Sequence, residues 1–195
     1  NTDLILDALA EKGIKATFFV DGDASGENEA VYKRIVDEGH TIGMHSYCNQ
    51  YSTIYSSTDA FSSDYMQIHD YIYNVTGVDS KFYRFPGGSS NEISNVNMAE
   101  FVSILNQKDV SYFDWNVSAG DASSDYTVED IVSNVTEGVA KYKTSVVLLH
   151  DNSNKSTTAE AIRPLVDALQ AMQAEILPID ENTYVVQYIK AYSVE

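Results

Sequence analysis

The apolar side chains of this chain keep changing period. Helical spacing of three to four residues alternates with short continuous apolar runs of the kind that fill strands covered on both faces. Helical spacing predicts helices over 2–11, 28–38, 58–74 and 97–107. A further helix opens at Thr127 with Ile131, Val135 and Val139 on one face, and a last one covers 157–172. Apolar runs predict six strands, over 16–20, 40–44, 81–85, 110–115, 145–149 and 175–179. Punctuation agrees, since Gly13 and Gly39 stop helices and Thr127-Val-Glu-Asp130 forms a capping box with Asp in the usual Glu position. Thr157-Thr-Ala-Glu160 forms a second box, and Pro164 predicts an irregular or kinked turn after it. Strand–helix alternation over a whole chain implies βα units and a parallel α/β sheet or barrel. The series opens on a helix, so a strand expected to precede Thr2 is missing.

Composition removes several functions. With 12 basic and 29 acidic side chains the net charge is −17, which repels phosphate and anionic lipid alike. We therefore expect no nucleic-acid partner. A hydrophobic fraction of 44% in 195 residues supports one cored domain over 1–195. No apolar run reaches the roughly 18 residues needed for a membrane span. Cys48 is the single cysteine, which excludes an intrachain disulfide framework and leaves the redox compartment open.

In parallel α/β folds reactive side chains gather at the C-terminal ends of strands. Four successive strands deliver His45, Arg84, Asp114 and His150 to that rim. Each has a plainer reading: a satisfied strand-end histidine, a structural ion pair, a capping aspartate. Trp115 reads equally as core filler or substrate wall. His40 reads as structural and His69 as solvated, while Asp121, Asp125 and Asp151 read as loop residues. Tyr47, Tyr51 and Tyr55 suit a sugar face or a core equally well.

Taken together, Thr17-Phe-Phe-Val20, Gly39-His-Thr-Ile-Gly-Met-His45-Ser, Arg84-Phe-Pro-Gly-Gly88, Asp114-Trp115 and Leu148-Leu-His150 resemble the polysaccharide deacetylases. These are the NodB-homology domains of carbohydrate esterase family 4. The resemblance runs from Asn1 to about Tyr188, and five motifs keep the family's order. It implies an α/β fold, a distorted (β/α)7 barrel, here lacking its first strand. It also implies a metal-dependent hydrolase that removes N-acetyl groups from N-acetylglucosamine polymers such as peptidoglycan or chitin, or O-acetyl groups from xylan. By the same resemblance His45 is a metal ligand, zinc being the expected divalent ion. Arg84 orients the catalytic base, Asp114 orients the acid His150, and the Gly87 N–H after Pro86 receives the oxyanion. Trp115 and Leu148 line the acetyl pocket. An extracellular or cell-surface bacterial location and an acetylated polysaccharide or oligosaccharide partner follow, and an open sheet edge would allow strand-edge dimers.

Two departures qualify the resemblance. The family's Thr-Phe-Asp-Asp-Gly motif, which supplies the base and a carboxylate ligand, belongs immediately before Asn1, so the domain reads as N-terminally truncated. The second histidine ligand is replaced by Asn49, a neutral amide that zinc disfavours, which predicts a weak or absent metal site. Cys48 is a candidate substitute ligand or else a small buried hydrophobe. The alternative reading is a catalytically weakened barrel that binds carbohydrate.

Overall fold

Helices and parallel strands alternate in a computed structural model of the chain, which describes residues 1–123 and 125–194. The α/β class expected from the sequence is the observed one. The chain divides into two compact units.

One unit comprises Thr17–Asp114 with the segment from Val185 onward. Its four strands are β1 (Thr17–Asp21), β2 (Thr41–Ser46), β3 (Phe82–Tyr83) and β4 (Ser111–Tyr112), paired in parallel in that order. Helices α2 (Glu29–Asp37), α3 (Tyr51–Ile54), α4 (Thr58–Thr76) and α5 (Met98–Gln107) connect them. Ser57 and Asn97 cap α4 and α5 through their side-chain oxygens. Phe61 on α4 packs on Tyr83, Phe85 and Phe101 at ring separations of 5.8, 5.7 and 4.9 Å, which fixes both helices on the sheet. Gly43 leaves room for the ring of Phe19 on the neighbouring strand: a Cβ there would sit 2.6 Å from it.

The other unit comprises Asn1–Ala16 and Trp115–Tyr184. It contains α1 (Thr2–Lys12), β5 (Val117–Ser118), α6 (Val128–Val139), β6 (Val147–Leu148) and α7 (Ser156–Ala171). Val117, Ala119, Ile131, Val135, Ala161, Leu165 and Leu169 form its core. Gly138 lets α6 lie on β5, because a Cβ there would come within 2.5 Å of Val117. The Thr127–Asp130 capping box is present in both directions.

Two expectations are corrected and one strand is added. Among the described residues no strand forms over 175–179: Pro178 offers no N–H to a ladder and Leu177 is 68% exposed. The strand β5 has no counterpart in the sequence reading, since two residues carry no periodic signature. Helix α7 runs through Pro164 and starts at Ser156 with Lys155 as its N-cap, so the box expected at Thr157 is not what starts it. None of the described helices is long and apolar enough to cross a membrane.

Candidate active site

Parallel pairing of Val117 with Val147 and of Ser118 with Leu148 sets the first cluster. Asp121 follows β5 by three residues and His150 follows β6 by two, so the register delivers both to the same end. The Asp121 carboxylate receives His150 twice, from the backbone N–H at 2.8 Å and from Nδ1 at 2.8 Å. Thr158 Oγ1 donates to it at 2.9 Å. Burial works to raise the Asp121 pKa, but hydrogen bonds from the His150 side chain and backbone and from Thr158 outweigh it and hold it below the ordinary value. Asp121 is fully buried while the His150 side chain is 37% exposed. The ring is therefore anchored through Nδ1, with Nε2 on its far side from Asp121. Leu148 and Trp115, expected to line a pocket, are both half-buried in this unit.

The carboxylate that orients His150 is thus Asp121. This corrects the assignment of that role to Asp114. Asp114 is fully buried in the other unit and is committed there: it accepts from Ser89 N–H at 2.7 Å, Ser89 Oγ at 2.5 Å and Tyr188 N–H at 2.7 Å. Tyr188 N–H and the Val186 carbonyl, which accepts the Asp114 N–H at 2.8 Å, tie the C-terminal segment to the end of β4.

Arg84 follows β3, and its guanidinium lies 4.5 Å over the Phe19 ring with Nε donating to the Phe113 carbonyl at 3.0 Å. Burial pushes its pKa down to about 10, against the supporting charge of Asp114. The Arg84 carbonyl meets His45 Nδ1 at 2.9 Å. A neutral His45 therefore keeps its proton on Nδ1 and its lone pair on Nε2, the tautomer that ligates metals. Pro86 and Gly87 follow. The Pro86 carbonyl accepts Tyr55 Oη at 2.7 Å, and Gly87 has φ 77°, a conformation that fixes the direction of its peptide plane and that side chains disfavour.

The donors beside His45 decide whether a divalent metal can sit there. Asp21 ends β1, where a bulge after Val20 pairs it with Ser46. Asn49 Nδ2 donates to its Oδ2 at 3.0 Å, and its Oδ1 is buried without a hydrogen-bond partner among the described residues. Burial raises the Asp21 pKa, with the His45 charge opposing. The set is one imidazole, one carboxylate and one amide whose NH2 already serves that carboxylate. Among the described residues no three His, Cys, Asp or Glu side chains cluster to hold a metal. Burial also raises the Cys48 thiol, away from the thiolate a metal needs. These donors do not make a zinc site, which takes three imidazole, thiolate or carboxylate ligands. Replacing Asn49→His is accordingly expected to tighten zinc binding by about tenfold or more, measured by titration calorimetry.

In the sequence Asp121 reads as a loop residue, and Asp21, Thr158 and Lys155 carry no motif of their own. Asp21 could have been found as the polar residue that ends the run Thr17–Val20. Asp121 was masked because β5 is too short to announce its own C-terminal end. His69, expected to be solvated, bridges Asp70 and Asp79 at 3.1 and 2.8 Å.

Comparison with known proteins bears on the family and the fold. The polysaccharide deacetylase family model matches residues 1–102, more than half the chain. A peptidoglycan-N-acetylglucosamine deacetylase PgdA of Listeria monocytogenes is 26% identical over 178 residues, 91% of this chain and 34% of that protein, so the chain spans about a third of that relative. The solved catalytic domain of a peptidoglycan N-acetylglucosamine deacetylase from Eubacterium rectale is 34% identical and covers 96% of this chain and 86% of its own, with a TM-score of 0.91. A family pseudoenzyme from Bacillus anthracis, BA3943, shares the fold at 24% identity and a TM-score of 0.77, covering 91% of this chain and 58% of its own. With the motifs and the family model in agreement, the chain belongs to the polysaccharide deacetylase family.

Proposed function

We propose that this chain is the catalytic domain of a hydrolase that removes acetyl groups from N-acetylglucosamine residues of peptidoglycan at the bacterial cell surface. The observation that carries the reading is the Asp121–His150 pair at the C-terminal ends of two parallel strands. The 34% identity to the Eubacterium rectale domain supports the substrate class. Hydrolysis adds water across the amide: the water oxygen bonds to the carbonyl carbon as its proton passes to the base, the C–N bond breaks, acetate leaves, and the sugar nitrogen needs a proton to depart as an amine. His150 Nε2 supplies that proton, and Asp121 holds the ring and balances its charge. By motif, the Gly87 N–H is assigned to the oxyanion, Trp115 and Leu148 to the acetyl methyl, and Arg84 to support of the base.

The family is generally metal-dependent, with zinc the ion proposed here and His45 its imidazole ligand. The donors among the described residues fall short of that site. Asn49 favours the second reading, a carbohydrate-binding module with weakened catalysis. BA3943 has the same fold as a pseudoenzyme.

Acetate release from peptidoglycan, chito-oligosaccharide and acetylated xylan, measured on the natural full-length protein, separates the readings. Release from the N-acetylated substrates that falls by about 100-fold or more in His150→Ala, with oligosaccharide still bound, is the expected result. Retained binding with no release from any substrate establishes the module instead. Release from xylan alone reassigns the substrate.

A further inference from the structure

A buried lysine lies behind the Asp121–His150 pair. Lys155 is 8% exposed, and its ammonium donates to three carbonyls in succession: Asp121 at 2.6 Å, Ala122 at 3.2 Å and Ser123 at 2.6 Å. An ammonium has three protons, and three acceptors match them. The Tyr126 ring lies 5.0 Å from Nζ, and Tyr126 Oη meets Thr158 Oγ1 at 3.2 Å, the hydroxyl that also donates to Asp121. The lysine is itself fixed, because it stands at the N-cap position of α7 and its backbone N–H donates to the Asn152 carbonyl at 2.9 Å.

A lysine is seldom this buried unless it answers a specific charge or dipole. Three successive carbonyls turned to one point form a strong negative dipole cluster, which a compact cation satisfies. These three residues form the turn that leads on from Asp121 after β5. Once this turn is fixed, the Asp121 side chain has one direction in which to meet His150. We propose that Lys155 is a positioning residue: it locks the turn after β5, and through Asp121 it sets the direction of the His150 ring. It has no contact with substrate in this role. The inference deepens the deacetylase reading and rests on it for its kinetic consequence alone.

The test uses the full-length protein with Lys155→Met, which keeps the length of the side chain and removes the donors. With circular dichroism showing a folded protein, kcat is expected to fall by about 100-fold with KM within about twofold, as for a displaced proton donor. The proton on His150 Nδ1, observed by NMR in nitrogen-15-labelled protein, is expected to lose its sharp downfield line. An unchanged kcat, a KM effect alone, or an unchanged Nδ1–H line in a folded variant overturns the proposal. Should Lys155→Met not fold, Lys155→Arg decides. It keeps the charge but its planar fork cannot cap three convergent carbonyls, so a shifted or broadened Nδ1–H line supports the proposal and an unaltered one overturns it. If the natural protein releases no acetate the deacetylase reading fails, while the NMR line still reports whether Lys155 holds the pair.

Discussion

Asp121→Asn is expected to lower the rate of acetate release by roughly 10³–10⁴-fold in a protein that folds normally. Hydrogen-bond arithmetic gives the reason. Asp121 Oδ2 accepts from the His150 N–H and from Thr158, so an asparagine keeps those bonds by placing its oxygen there. Its NH2 must then face His150 Nδ1, where the carboxylate now accepts. Two donors cannot share that contact, so the ring gives up its Nδ1 proton and turns to the other tautomer. A ring held that way cannot carry the second proton that the leaving amine requires. The measurement is initial-rate acetate release beside a thermal melt, and an activity loss below about tenfold would remove Asp121 from the reaction. The same carboxylate predicts an acid limb in stability. Its folded pKa is depressed, so its stabilisation is complete above the unfolded value of about 3.9 and is lost as pH falls through and below that value.

How far the sequence could lead is visible in these particular residues. His150 and His45 were legible because long apolar runs announce where their strands end. The helices were legible for the same reason, through periodicity and the cap at Thr127. Asp121 was not, because β5 is only Val117–Ser118 and its end carries no signal of its own. Asp114 stood beside Trp115 at the end of a clearer run and took the role by adjacency. Lys155 was hidden more deeply, since a lone lysine in a polar segment gives no hint that it is buried on three carbonyls. Register and main-chain direction decide such cases, and neither is written in side-chain pattern.

The two aspartates can be separated by experiment, since they should fail in opposite ways. Asp114→Ala removes the acceptor of two N–H groups and a hydroxyl, all at a fully buried position beside the charge of Arg84. Unpaired buried donors of this kind cost about 1–3 kcal/mol each, and losing one member of a buried charged network about 3–5 kcal/mol. Some of the donors will find water once the side chain is shortened, so the total is expected near the lower range, about 3–5 kcal/mol. For a chain of this size that corresponds to a melting temperature lower by roughly 10 °C. The segment at Val186–Ile189 should loosen first, because it reaches the sheet through Asp114 N–H, Tyr188 N–H and the bond of Ile189 N–H to Ser89 Oγ at 3.1 Å. Limited proteolysis should therefore cut near Tyr188 earlier than in the parent protein. Below its lowered melting temperature, however, the milder Asp114→Asn should keep kcat within a few-fold, where Asp121→Asn loses it. A folded Asp114→Asn protein that released no acetate would return the orienting role to Asp114, against the geometry of the His150 ring.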